Sequence, residues 1–318
     1  MSSGTIEVEH LSKVYGSNTA IEDVHFSVQS GEIIGFLGPN GAGKTTTMRI
    51  LAGYLPATTG TAKVAGYDVH HHSLEVRRRI GYLPENPPLY PDMSVGGYLH
   101  FVAKLKGVAR RNRIKQVKAA LDRCQLVDKT KTTIRQLSKG YRQRVGIAGA
   151  IVHEPPVIIL DEPTIGLDPR QIIEVRNLIK SLAGEHTVIL SSHILPEVSA
   201  TCDRVTIINK GKVVTTNTPG ELMKQLNSNS GYELEVEGEI ALLLQELQNI
   251  PGVAEVKVIP RQTPTRREAI EVLCKPNCEP GKDLAAAIIT KGLSLHEMRR
   301  IRPSLEDVFL QLTTEEAN

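Results

Sequence analysis

The chain has no apolar run approaching the ~18 residues that a membrane-crossing helix needs. It is therefore not expected to span a bilayer by itself. Its opening residues, MSSGTIEVEHLSKVYG, lack the basic start and apolar stretch of a secretory leader, so the expected location is the cytosol. Work at a membrane would then need another protein to hold it there. An excess of one charge is missing too. The 38 Lys and Arg against 35 Asp and Glu leave a formal charge of +3, too small for whole-chain charge to point to nucleic acid or a membrane surface. Cysteine is sparse: Cys124, Cys202, Cys274 and Cys278 are scattered, as in a reduced cytosolic chain. Cys274 and Cys278 lie either side of Pro276 but lack the further close ligands a metal would need, and are read as unrelated thiols. His70, His71 and His72 run together in a polar stretch ahead of Arg77, and are read as an exposed loop.

What is present is an ordinary globular composition, 40% apolar and 23% charged. At ~100–200 residues per domain, the length favours two domains. Strand-like runs open the chain: TIEVEHL, IEDVHFSV and EIIGFLG, the third continuously apolar as a buried parallel strand should be. GAGKTTTMRILAGYL reads as a helix ending near Gly53, and GTAKVAGYDV resumes strand character. From Ser94 to about Asp128 apolar residues recur at helical spacing, which predicts a helical insertion, about 94–153 with the helix that follows. PPVIILDEP and HTVILSSH are buried strands around the helix PRQIIEVRNLIKSLAG, and CDRVTIINKGKVV is a hairpin turning at Lys210 and Gly211. This alternation predicts an α/β fold, a parallel sheet with helices on both faces. NSNSG (227–231) then reads as a linker, placing a boundary between domains 1–228 and 229–318. The second domain parses as βαββαβ, the ferredoxin-like α+β order. Its tail, RPSLEDVFLQLT, predicts an amphipathic helix capped by Ser304, with Leu305, Val308, Phe309 and Leu312 in one stripe.

GPNGAGKTT (38–46) fits G-x-x-x-x-G-K-[ST] between a strand and a helix. Around Gly38, Asn40, Gly41 and Gly43 the backbone N–H groups can close on phosphate oxygens, aided by the helix dipole. Lys44 should reach the β- and γ-phosphates, and Thr45, followed by Thr46, offers a hydroxyl to Mg²⁺. VIILDEP ends a buried strand in two carboxylates. Asp161 can lie on the Mg²⁺ side and Glu162 can face a water in line with the γ-phosphorus as general base. His193, closing HTVILSSH, could donate a hydrogen bond to the γ-phosphate. RQLSKGYRQRVG offers a second anion-binding helix start: Ser138 is a good N-cap, Gly140 permits close approach, and the helix runs from Tyr141 to about His153. A capped helix with a solvated basic face would use the same residues.

The order of these motifs, with GLD (166–168) between VIILDEP and His193, resembles the ATP-binding cassette (ABC) ATPases over residues 5 to about 226. The resemblance implies a P-loop NTPase of ABC type: a parallel core sheet, an N-terminal antiparallel β subdomain and a helical insertion, binding ATP and Mg²⁺. It also implies a homodimer joined head to tail, in which Ser138 and Gly140 of each copy bind the γ-phosphate held by the other. Tyr15 would stack on adenine and Asp168 would help join the halves. Two departures stand out. The usual Leu-Ser-Gly-Gly-Gln is here Leu137-Ser138-Lys139-Gly140-Tyr141, keeping the Ser and Gly that face phosphate. The usual Gln between core and insertion is Glu85, which can offer oxygen to Mg²⁺ or water but no N–H. Asn86 could take that role; Glu85 is favoured because a neighbour on an extended segment points the other way.

Within the family, YLPENPPLYPDM, LSKGYRQRV and the closing RPSLEDVFLQLT look like the type 2 exporters, including components associated with gliding motility. Such ATPases are separate chains that drive an integral membrane permease from the inner face of the membrane, with no nucleic-acid partner. The alternative is a soluble ABC ATPase acting on nucleic acid or the ribosome, for which KLKGVARRNRIKQVK (104–118) could be a phosphate-tracking stripe. The same segment could equally be a solvated face of the insertion, near permease loops or anionic headgroups.

Overall fold

Two kinds of strand, told apart by burial, build the first part of the molecule. The computed structural model describes residues 6–225, 231–238, 240–259, 267–275 and 278–301. Its contacts divide into two units, Met1–Thr218 and Pro219–Asn318. The first unit opens with β1 (Ile6–Tyr15), β2 (Asn18–Val28), β3 (Ile33–Leu37), α1 (Lys44–Leu51), β4 (Thr59–Val64) and β5 (Tyr67–Asp68). Next come α2 (Ser73–Arg79), β6 (Ile80–Leu83), α3 (Val95–Leu105), α4 (Arg110–Arg123) and α5 (Lys139–Ile151). It closes with β7 (Val157–Asp161), α6 (Pro169–Lys180), β8 (Thr187–Ser192), α7 (Leu195–Ser199), β9 (Arg204–Asn209) and β10 (Lys212–Asn217).

In β2 the side chains of Val24, Phe26 and Val28 are buried while those between them are exposed, the period of a sheet with one wet face. It belongs to an antiparallel sheet ordered β2-β1-β4-β5. In β3, β7 and β8 every residue is buried, because both faces are covered. These strands are the centre of a sheet ordered β10-β9-β3-β8-β7-β6, parallel from β9 to β6 with β10 as an antiparallel edge. One core joins the two sheets through α1, holding Ile6, Ile21, Phe36, Met48, Ile50 and Ile159. Ser94 caps α3 by accepting from the Gly97 N–H at 3.1 Å, and α3 to α5 form the helical insertion.

Three short elements are absent from the sequence reading. The stretch holding His70–His72 is an exposed turn only as far as His72; α2 follows at once, its Glu75 paired with Arg78 and Arg79. Val76 alone is buried in α2, so no apolar period marks it. β6 has four residues and α7 five, too few for a period to show.

The second unit comprises α8 (Pro219–Gln225), β11 (Gly231–Glu237), α9 (Ala241–Asn249), β12 (Val253–Ile259), β13 (Arg267–Cys274), α10 (Gly281–Thr290) and β14 (Ser294–Ile301). Its antiparallel sheet is ordered β12-β13-β11-β14, the ferredoxin-like arrangement of a βαββαβ chain. Leu234, Val236, Leu243, Leu247, Ile270 and Leu284 are among its own core. The contact division falls after Thr218, ahead of the linker expected at 227–231, so α8 goes with the second unit. Of that linker only Gly231 is described, and the helix expected over RPSLEDVFLQLT lies outside the described residues.

Candidate nucleotide site

The phosphate loop leaves the end of β3 and enters α1 through Gly43, whose φ of +104° an L side chain resists. A Cβ there would also stand 2.5 Å from Ile21 Cγ2 and 2.8 Å from the Ala20 carbonyl oxygen. Lys44 follows and is buried. Its ammonium donates to the carbonyls of Gly38 at 2.7 Å and Pro39 at 3.2 Å, and pairs with Glu162 Oε1 at 3.4 Å. The other Glu162 oxygen faces His193 Nδ1 at 3.0 Å. Both oxygens of the expected general base are thus engaged, one by the loop lysine and one by the expected histidine. Glu162 itself has φ +49°, a conformation non-glycine residues seldom adopt, and it is the first residue beyond β7.

One hydroxyl ties the two carboxylate residues together. Ser191, opposite Asp161 in the parallel register of β7 and β8, donates to Asp161 Oδ1 at 2.6 Å. It also accepts from the Glu162 N–H at 2.9 Å. Thr45 donates its hydroxyl to the same Asp161 oxygen at 3.2 Å. Asp161 Oδ2 is buried and, among the described residues, has no hydrogen-bond partner. A desolvated carboxylate oxygen left alone is costly, and a cation beside it removes that cost. The donor set, a buried carboxylate oxygen, a threonine hydroxyl and the carboxylate of Glu85 on the rim, is all oxygen and suits Mg²⁺.

Asn40, Gly41, Gly43, Lys44, Thr45, Thr46, Glu85 and Glu162 line one cleft of about 420 Å³. Asn18, Thr19 and Ala20, from the start of β2, form another wall. Glu85 is on the cleft and Asn86 is not. Tyr15 is not among the lining residues; it is exposed at the end of β1, with the Lys13 ammonium 5.2 Å from its ring centre. Ser138, Gly140 and Asp168 are not on the cleft either. Ser138 caps α5, accepting from Tyr141 N at 3.4 Å, and Asp168 caps α6, accepting from Gln171 N at 2.9 Å. The two helix starts touch: a Cβ on Gly140 would sit 2.4 Å from Gln171 Oε1. Ser191 and Gln171 are the neighbours of the expected site residues that sequence reasoning missed. Ser191 could have been found only by pairing VIILD with TVILSS in register. Among the described residues no group of three or more His, Cys, Asp or Glu is arranged to hold a metal. Nor is any helix of those residues long and apolar enough to cross a membrane.

A family model described as ABC transporter matches residues 21–165. The bacitracin transport ATP-binding protein BcrA of Bacillus licheniformis is 34% identical over 309 residues, covering 96% of this chain and 96% of its own. The chain belongs to the ABC transporter ATP-binding proteins. Another member, the linearmycin resistance ATP-binding protein LnrL of Bacillus subtilis, is 30% identical over 97% of this chain and 98% of its own. Among solved structures, a dimeric bacterial ABC transporter cassette is 25% identical, with a TM-score of 0.61 over 67% of this chain and 98% of that one. As an ABC ATPase the protein binds ATP with Mg²⁺ and hydrolyses it.

Proposed function

We propose that two copies of this ABC ATPase close on two Mg-ATP, each nucleotide held between the phosphate loop of one copy and the Ser138–Gly140 helix start of the other. Closure and reopening drive a separate integral membrane permease, and the cargo moves outward. The observation that carries this reading is the separation, within one chain, of the phosphate-loop cleft from the helix start at Ser138 and Gly140. The start of α5 is packed on α6 through Gly140 and Gln171, while the cleft of the same chain is lined by the loop, Glu85 and Glu162. A second helix N-terminus with its own N–H groups and dipole can take a phosphate from elsewhere, and a second copy would supply one. Export is supported by the names of the relatives, one for bacitracin transport and one for linearmycin resistance. The gliding expectation has no such support and is not carried further.

The chemistry follows from the network already described. Lys44 exchanges the Glu162 carboxylate for phosphate oxygens, a charge-assisted contact that frees one Glu162 oxygen. Glu162 then accepts a proton from the attacking water while His193 holds its other oxygen. Thr45, Asp161 and Glu85 would hold Mg²⁺, which would neutralise charge on the phosphates. Asp168, beyond the cleft, serves the contact between copies, and Tyr15 the adenine.

A mixing experiment tests the split site. Lys44→Ala and Ser138→Arg chains should each be inactive alone. Mixed, random pairing of two-fold dimers restores one intact composite site in about a quarter of all sites, and ATPase activity reappears accordingly. If mixing restores nothing, or if Ser138→Arg alone hydrolyses ATP at the wild-type rate, the shared site is wrong.

A further inference from the structure

The α3–α4 corner is not used by the nucleotide site. Residues 104–118 contain seven Lys or Arg and no acid. Two of these cations are spent on the main chain: Lys106 donates to the carbonyls of Arg77 at 2.8 Å and Ile80 at 3.0 Å, and Arg113 to that of Val108. The other five, Lys104, Arg110, Arg111, Lys115 and Lys118, are exposed, and none has an ion pair among the described residues. At 3.6 residues per turn, Arg110, Arg111, Ile114, Lys115 and Lys118 fall within an arc of about 140° on α4. Two large aliphatic side chains of the same segment are exposed, Ile114 at 74% within the α4 arc and Leu105 at 69% at the end of α3, on a groove with Arg77 and Lys106. The combination of unpaired cations with exposed Leu and Ile is what an interfacial helix presents to a bilayer.

We propose that this corner is a docking surface for an anionic lipid bilayer. The five cations meet headgroup phosphates, and Leu105 and Ile114 enter the boundary between headgroups and acyl chains. Charge complementarity selects an anionic partner, each cation near such a surface strengthening binding about fivefold. The aliphatic members of the face select lipid over nucleic acid, whose single strands are held by aromatic stacking and whose base edges are read by polar side chains. The proposal goes beyond the transport reading and does not need the permease, because the surface belongs to this chain alone.

The full-length chain, without any permease, is sedimented with vesicles of phosphatidylcholine alone or mixed with an equal part of phosphatidylglycerol. It should bind the anionic vesicles and not the neutral ones, and binding should fall as salt screens the charges. Lys115→Glu with Lys118→Glu should lower the partition coefficient at least tenfold, from about fivefold or more per reversed charge. Ile114→Ser should weaken binding to anionic vesicles at constant charge. All three substitutions leave the cleft untouched, so an unchanged ATPase rate reports that the variants are folded. Equal binding to both vesicles, no binding to either, or reversal variants that bind like the wild type each overturn the proposal. So does tighter binding to RNA than to the anionic vesicles, which would assign the cations to nucleic acid.

Discussion

Ser191 does two things with one hydroxyl: it accepts from the Glu162 N–H and donates to Asp161 Oδ1. Removing it leaves a buried N–H unsatisfied, a loss of about 1–3 kcal/mol of stability, and leaves Asp161 oriented by Thr45 alone. Ser191→Ala should therefore lower the ATPase rate about tenfold or more, equivalent to ~1.4 kcal/mol of barrier, and raise the Mg²⁺ concentration for half-maximal rate. Ser191→Thr, keeping a hydroxyl, should restore the Mg²⁺ dependence. A titration in which the alanine variant loses only thermal stability, with Mg²⁺ half-saturation unmoved, would make Ser191 structural. Lys44, Thr45, Asp161 and Glu162 were legible in the sequence because each sits in a short contiguous motif whose spacing is itself the geometry. Ser191 was not, since its role comes from the β7–β8 register, which joins residues 30 apart in the chain. The φ of +49° at Glu162 was equally hidden: nothing in LDEP marks the glutamate as left-handed.

At the scale of elements, one carbonyl of the core sheet is met by two side chains of the insertion. Ile80, which opens β6, is met by Lys106 Nζ beyond α3 at 3.0 Å and by His153 Nε2 beyond α5 at 3.1 Å. Burial, and then the Lys106 charge, push His153 down to about 4; His186 adds a smaller repulsion and the Ile80 bond opposes the shift. His153 Nδ1 is buried without a hydrogen-bond partner among the described residues, so a proton there would be stranded. Lys106 is pushed down to about 8 by burial first and by Arg77 second. The signs follow from linkage. Between the ordinary histidine value near 6.5 and about 4, the unfolded chain binds a proton that the folded chain refuses, so stability falls as pH drops through that window. The full shift corresponds to about 3 kcal/mol. His153→Gln should remove that part of the acid loss, seen as a flatter urea midpoint between pH 7 and pH 4 than in the wild type. An identical pH profile for the two proteins would show that His153 titrates freely. For Lys106 the folded chain gives up its proton first, so its contribution rises with pH above about 8. The insertion helices α3 and α4 were legible from their apolar period, whereas β6 and α2 were too short or too polar to carry one.

For the whole molecule, the two units have separate cores, one centred on residues such as Phe36 and Ile159, the other on Leu234 and Ile270. The order of elements in both could be read from the alternation of periods along the chain. The lateral order of strands could not, because it depends on which edges pair. The resemblance implied an N-terminal antiparallel β subdomain, but its strand order β2-β1-β4-β5 came only from the fold. Every residue expected to hold nucleotide within one copy lies in the first unit, so a ligand that binds there acts on that unit directly. Calorimetry of the full chain should accordingly show two transitions. Mg-ATP at about a hundred times its Kd adds ~2.7 kcal/mol to the first unit, raising one midpoint by about 5–10 °C and leaving the other in place. Leu234→Ala removes a fully buried side chain from the second core, a loss of about 2–5 kcal/mol, and should lower only the transition that nucleotide leaves alone. The two perturbations are chosen to be orthogonal: a single transition shifted by both would mean that the ferredoxin-like unit unfolds with the cassette and feels the nucleotide. Glu162→Gln, which keeps nucleotide from being consumed during the scan, separates the effect of binding from that of turnover.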